Sequence, residues 1–177
     1  MLTTLDIIKN QIKESHEILE KTVADIKDEH WHKDPGGLAH TLASAYAHAV
    51  FSEDGINHGM LQGKAPLYKT AWSNKTGASE PMPEMDEHWH ENHGTWVKTV
   101  KLDLEQFKKY TQAVYEATTA YLETVTEPML EEMVDLGSMG QYTRAHILTN
   151  IIASHNHNLA GEISAIKGVF GVKGYPF

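Results

Sequence analysis

The chain has 177 residues, with 15 Lys and Arg against 24 Asp and Glu, a formal charge of −9, 12 histidines and no cysteine. This length suits one domain over residues 1–177 with a full core. The negative balance and the lack of any Lys/Arg run argue against nucleic acid and anionic membranes as partners. Without cysteine, disulfides, thiolate metal ligands and a thiol nucleophile of its own are excluded. No apolar run nears the roughly 18 residues that span a bilayer, so we expect a cytoplasmic protein.

Apolar residues recur at helical spacing through four segments. The first runs from Leu5 to about Trp31, before the DPGG sequence at 34–37, and the second covers about 38–60. The third covers about 96–126, and the fourth about 141–168. We see no strand pattern. Four amphipathic helices of this length predict an all-α four-helix bundle.

The connection between the second and third segments sets the expected topology. Residues 61–95 form a stretch rich in Pro and Gly that is far longer than an antiparallel turn needs. This crossover can run the length of the bundle, so that helices two and three are parallel and the order is up-down-down-up. Its aromatic residues, such as Tyr68 and Trp72, predict that it packs on the bundle as a lid.

Two histidines give the best clue to function. His155 falls within the apolar stripe of the fourth segment, and His48 flanks the stripe of the second. In the predicted topology both imidazoles lie near the middle of the bundle and face each other, where they could bind Zn²⁺ or Ni²⁺. The alternative is two buried histidines satisfied by Ser, Glu or water.

The chain resembles the DinB/YfiT-like superfamily over essentially its whole length. The resemblance rests on PGG at 35–37 leading to FSED at 51–54, on HNHNLAGEI at 155–163, and on GVFG at 168–171. It implies an up-down-down-up bundle, often dimeric. It also implies a divalent metal held by one histidine of helix two and an H-x-x-x-H or E-x-x-x-H pair of helix four. Relatives include thiol-dependent transferases and isomerases, and a chain without cysteine is compatible with an external thiol.

Transferred to this sequence, the resemblance makes His48 and His155 metal ligands, but Leu159 occupies the position of the third and cannot coordinate. We expect Glu162 to act as the third ligand or as a catalytic base. His88, His90 and His93 in the crossover are further donors, of which one could supply the third ligand, although solvated loop histidines are the alternative. His40 lies well off the stripe of helix two.

Two functions follow from this sequence. The first is a metal-dependent transferase or hydrolase that acts on a small electrophile with Zn²⁺ or Ni²⁺, with or without an external thiol. The second is a metal-free member with a degenerate site that binds a small apolar molecule or nothing. We also expect a homodimer, because Phe51 and Ile151 are apolar positions beyond the helical stripes.

Overall fold

A computed structural model describes residues 1–177, apart from the side chain of Ser138. The chain is mostly helical, as the periodicity predicts. The helices are α1 (Thr4–Val23), α2 (Asp28–Trp31), α3 (Leu42–Asp54), α4 (Trp89–Thr99), α5 (Leu104–Leu122), α6 (Arg144–His146) and α7 (Ser154–Val169). π-helical segments extend α3 over Gly55–Met60 and precede α7 over Ile147–Ala153, and 3-10 turns occupy Leu67–Lys69, Glu127–Glu131 and Gly137–Met139.

Capping residues decide where the first two long helices begin. Thr3 and Asp6 form a reciprocal capping box at the start of α1, which ends at Val23 rather than near Trp31. A separate turn, α2, then buries Trp31. The predicted second helix over 38–60 starts four residues late, because the Thr41 side chain caps α3. Leu38, the first residue of the predicted segment, is 98% exposed.

The predicted third helix over 96–126 is two helices. Helix α4 ends at Thr99, and α5 starts at Leu104 behind Asp103, whose side chain accepts a hydrogen bond from the Gln106 amide. Between them the chain is extended and pairs with the crossover, where the Ser79 amide donates to the Lys101 carbonyl. Apolar spacing that continues through Val100 to Leu104 hid this break, because Val100 is buried although it lies after the end of α4.

The sequence analysis missed a hairpin whose second strand lies at the start of the fourth segment. Strands β1 (Met133–Asp135) and β2 (Gln141–Thr143) are antiparallel, with Val134 opposite Tyr142. Three-residue strands are too short to show an alternating pattern. Gly140 lies at the turn with φ 91°, a conformation that favours glycine. The helical part then continues through α6 and the π-helical segment into α7.

Side-chain contacts join the long helices. Helix α7 packs on α1 and α3, and α5 contacts the same two helices. The Lys167 ammonium of α7 donates to the Thr22 carbonyl of α1 at 2.8 Å. The Tyr115 hydroxyl of α5 donates to Glu20 of α1 at 3.1 Å.

The crossover packs on α3, as predicted for a lid. The Asp54 carboxylate accepts hydrogen bonds from the Leu67 and Tyr68 amides, both at 3.0 Å. The Phe51 ring lies 5.4 Å from the Tyr68 ring and 6.3 Å from the Trp96 ring, between centroids. Phe51 is therefore covered by its own chain, so our reason for assigning it to a dimer interface was wrong.

Candidate metal centre

His40, His48 and His93 form a cluster in which one ring nitrogen of each lies within 4.8 Å of the other two. Each comes from a different part of the fold. His40 directly precedes the Thr41 cap of α3, His48 lies within α3, and His93 lies on α4 in the crossover. The cluster therefore forms only when the crossover is folded against the start of α3.

The three rings are arranged edge to face. The centroid of His48 is 4.8 Å from that of His93 and 5.7 Å from that of His40, and the His40–His93 distance is 5.6 Å. Interplanar angles of 67° to 89° keep the rings from stacking. One ring nitrogen of each histidine lies within 4.8 Å of a ring nitrogen of the other two. This arrangement is suited to shared coordination of one cation.

Two nitrogens in this cluster have no hydrogen-bond partner within the part of the chain that the structure describes. They are His48 Nδ1 and His93 Nε2, and both are buried. A buried polar atom without a partner costs roughly 1–3 kcal/mol, so such atoms are rare in native proteins. Two of them in one three-histidine cluster fit a site whose partner is a bound ion.

The electrostatics keep two of these imidazoles, His48 and His93, neutral. Burial, followed by the neighbouring His155, His93 and His40, lowers the pKa of His48 to about 3. Burial and then His40 also lower the pKa of His93. A neutral imidazole offers a lone pair to a cation, whereas a protonated one has none. The donor set therefore suits a borderline cation such as Zn²⁺ or Ni²⁺.

Glu162 of α7 contacts this cluster. Its Oε1 atom accepts a hydrogen bond from His40 Nδ1. We expected Glu162 to be a third metal ligand or a base, and the structure brings it to the histidines through His40. The side chains are 17% exposed for His40 and 33% exposed for Glu162, so the contact lies at the rim of the site.

His155 lies beside the cluster. Its ring centroid is 4.9 Å from that of His48, so the two histidines singled out in the sequence are neighbours. Burial lowers the pKa of His155, against the opposing charges of Glu53 and Glu162. Leu159, which stands where the resemblance implies a ligand, is 4% exposed within the hydrophobic core.

His40 was missed, and His93 was only one of three crossover candidates. His40 lies before the helix begins, so its position on a helical wheel had no meaning. His93 is flanked on α4 by Trp89 and Trp96, with ring centroids 4.5 and 5.7 Å away. The W-x-x-x-H-x-x-W spacing puts these rings on one helix face and was a usable signal. His88 and His90 are exposed.

Further histidines have structural partners. His16 bonds to Glu53 through Nε2 at 2.9 Å and stacks on Tyr115 at 3.7 Å between centroids. His58 Nδ1 lies 2.8 Å from the Asp54 carboxylate. Each of these two histidines therefore pairs with a carboxylate on α3.

Two surface grooves lie along the crossover, apart from the histidine cluster. Their volumes are about 670 and 620 Å³. One runs between the 74–79 stretch and the 101–106 stretch, and the other between 68 and 84. As neither is lined by a cluster histidine in the described part of the chain, the metal centre remains the candidate site for chemistry. Within the same residues, no helix has the length and apolar character needed to cross a membrane.

The fold and the cluster define an all-α protein with a candidate metal centre. The chain belongs to the DinB superfamily, whose family model matches residues 11–160. This match includes all three cluster histidines and His155 and ends before Glu162. A crystal structure of a conserved protein from Enterococcus faecalis is similar, with a TM-score of 0.77 and 19% identity over 97% of this chain and 99% of that one. At that identity the likeness shows the fold alone. A comparison with curated proteins gives no match.

Proposed function

We propose that the protein is a metal-dependent enzyme that holds one Zn²⁺ or Ni²⁺ ion with His40, His48 and His93. It acts as a transferase or hydrolase on a small electrophile. The observation that carries this proposal is a pair of buried nitrogens, His48 Nδ1 and His93 Nε2, which have no partner in the described structure and belong to one cluster of three imidazoles. Membership of the DinB superfamily supports the same proposal, since the resemblance to this superfamily implies a divalent metal.

The chemistry follows from the donor set. A divalent cation on three protein ligands keeps an open position and lowers the pKa of a bound water or thiol toward neutrality. The chain has no cysteine, so any thiol nucleophile comes from outside. His40 and His48 hold the site against α3, and His93 closes it from the crossover. His155 lies beside His48, where its neutral ring can accept a proton.

We infer that the long helices form an up-down-down-up bundle. The contacts His16–Glu53 and Glu20–Tyr46 between α1 and α3 run in opposite chain order, which supports antiparallel helices. The contacts Tyr46–Phe107 and Glu53–Thr118 between α3 and α5 run in the same chain order, which supports parallel helices. Helices two and three are then parallel, which is what the long crossover allows.

A metal-free function is the second candidate. The observation that favours it is Leu159, which packs into the core where the resemblance implies a ligand. In this reading the site is degenerate and the protein binds a small molecule without a metal. The two candidates differ in one measurable property, the stoichiometry of metal binding.

A homodimer remains part of the proposal. Its support is the family resemblance together with Ile151, which is half-buried beside the core. Sedimentation velocity at micromolar concentration is expected to give a species of twice the 19.8 kDa chain mass. A single 20 kDa species would exclude the dimer.

Metal analysis tests the proposed function. Protein made without a histidine tag and stripped with chelator is expected to take up one equivalent of Zn²⁺ or Ni²⁺ in calorimetric titration. His48→Ala should abolish this uptake. His146→Ala is the matched control, because His146 stacks on Tyr142 on the hairpin and belongs to no metal cluster in the described residues. If the wild-type protein binds no metal, the metal-dependent function is wrong and the metal-free one stands.

A turnover assay tests the proposed enzymatic activity. The metal-loaded protein, incubated with electrophilic probes and a panel of small thiols or water alone, is expected to accelerate consumption of the electrophile. The stripped protein should not. If loaded and stripped proteins are equally inactive with every probe, the enzymatic part of the proposal fails while metal binding stands.

A further inference from the structure

Helix α7 contacts the histidine cluster through Glu162. Among the three cluster histidines, His40 is the one with a carboxylate partner in the described structure, since Glu162 Oε1 accepts from its Nδ1. Glu162 also acts electrostatically on His93 and His155. A single carboxylate of α7 therefore acts on His40 before α3, on His93 of α4 and on His155 of α7 itself.

This contact fixes which nitrogen of His40 is available. An ionised carboxylate only accepts hydrogen bonds, so His40 Nδ1 carries the proton in this contact. In the neutral ring the lone pair then resides on Nε2. A ligand histidine whose second nitrogen donates to a carboxylate is held in one tautomer and one ring orientation, and its basicity rises.

The sequence of α7 explains why this helix reaches the candidate metal centre through Glu162 and His40. At about 100° per residue, Leu159 lies roughly 40° from His155 and Glu162 lies roughly 20° from it, so the three share one helix face. Leu159 packs in the core and offers no ligand atom. Glu162, one turn later, reaches a histidine that precedes α3.

We propose that Glu162 is a positioning residue, which orients His40 for metal binding, and that it is neither a metal ligand nor a catalytic base. This inference rests on the proposed function, because it assumes that a cation binds to His40. It assigns to α7 a role behind the ligands, where the family resemblance implies a direct ligand. The three histidines then form the complete set of protein ligands.

Two substitutions of Glu162 separate these roles. Glu162→Gln keeps an oxygen that accepts from His40 Nδ1, and Glu162→Ala removes it. For a positioning residue, Zn²⁺ affinity is expected to fall by about 10–100-fold in the alanine variant and by only a few-fold in the glutamine variant. Competition with a chromophoric chelator measures both. Glu91→Gln is the control, because it removes the same charge from an exposed position on α4.

A spectroscopic readout distinguishes positioning from ligation. Co²⁺ replaces Zn²⁺ as a visible probe, and its absorption bands report the number and type of ligands. The spectrum of Glu162→Gln should match that of the wild type. In the metal-free protein, long-range nitrogen–proton NMR should show His40 in the Nδ1–H form, retained in Glu162→Gln and mixed in Glu162→Ala.

Each other outcome overturns the inference. If glutamine and alanine lower the affinity equally and change the Co²⁺ spectrum, Glu162 is a ligand. If metal affinity is unchanged in both variants while turnover is lost, Glu162 acts as a base. Unchanged affinity and turnover mean that Glu162 has no role at the site. In these cases the metal centre itself stands, whereas a wild-type protein that binds no Zn²⁺ or Co²⁺ refutes both the proposed function and this inference.

Discussion

Two polar clusters interrupt the apolar core, and they differ in how fully their atoms are paired. In the first, Glu53 accepts hydrogen bonds from Thr118 at 2.7 Å and Asn156 at 2.8 Å and contacts His16 at 2.9 Å. In the second, the cluster of His40, His48 and His93, two buried nitrogens have no partner in the described structure.

This difference separates a structural histidine from a candidate ligand. His16 lies in a cluster where hydroxyl, amide and imidazole groups together satisfy a buried carboxylate, so its contribution is to stability. His48 and His93 are buried at a cost that nothing in the described chain offsets. A bound cation would offset that cost. The four predictions below test this contrast.

The largest effect is expected from breaking the paired cluster. Glu53 is 1% exposed, and Glu53→Ala leaves Asn156, Thr118 and His16 without their shared acceptor. The free energy of unfolding should fall by about 3–5 kcal/mol, as for other buried pairs that lose one partner. Urea denaturation measures it. Glu105→Ala, which removes an exposed pair with Lys109, should cost less than about 1 kcal/mol. Equal, small losses would show that the Glu53 cluster is not a stabilising unit.

The second prediction concerns Leu159. Leu159→His should lower the free energy of unfolding in chelator by about 2–4 kcal/mol, because a packed leucine is lost and a polar ring is buried. Metal affinity should change little, since His93 completes the ligand set. Leu159→Met, which conserves volume, should cost less than about 1.5 kcal/mol. A rise in Zn²⁺ affinity by orders of magnitude would instead identify α7 as the ligand-bearing helix.

The third prediction is that metal ties the crossover to the bundle. Zn²⁺ at about 100 times its dissociation constant should raise the free energy of unfolding by about 2.7 kcal/mol. It should also slow amide hydrogen exchange in α4, because His93 bridges α4 to the start of α3. His93→Ala should lose both effects, while His90→Ala, an exposed change on the same helix, should keep them. Binding without protection of α4 would contradict a ligand role for His93.

The smallest effect is a pH dependence of the paired cluster. Burial opposes the ionisation of Glu53, but His16, Thr118 and Asn156 outweigh it and lower its pKa. The ionised form therefore stabilises the fold above the ordinary glutamate pKa of about 4.3. That contribution is lost as the pH falls through the lowered value. The stability difference between wild type and Glu53→Gln should shrink as the pH falls below about 4, where the Glu53 carboxylate takes up its proton. A difference that grows below that pH would reverse the assigned shift.

The sequence predicted the helical fold well where apolar spacing coincides with a helix. Ile8, Ile12 and Leu19 are buried on α1, and Phe107 and Val114 are buried on α5, as their spacing requires. The same spacing was misleading between Thr99 and Leu104, because buried residues of an extended segment kept the helical period. It was also misleading before Thr41, where a capping residue, not hydrophobicity, decides the helix start.

The sequence likewise predicted some residues of the candidate site and not others. His48 and His155 were predicted as neighbours from helix faces and a long crossover, and their rings are 4.9 Å apart. Apolar periodicity made that prediction possible because both residues lie within helical segments. Periodicity gave no information on His40, which precedes a helix, and it could not distinguish His93 from the other histidines of the crossover.

The sequence by itself therefore determined the mostly helical character of the chain, its superfamily and one histidine of the cluster, because these depend on local spacing and short motifs. Only the tertiary structure decided that His40 and His93 join His48, and that Glu162 reaches the site through His40. The physical reason is distance along the chain. The crossover returns His93 to α3 across 44 intervening residues, through hydrogen bonds to Asp54 and aromatic packing on Phe51 that no local pattern encodes.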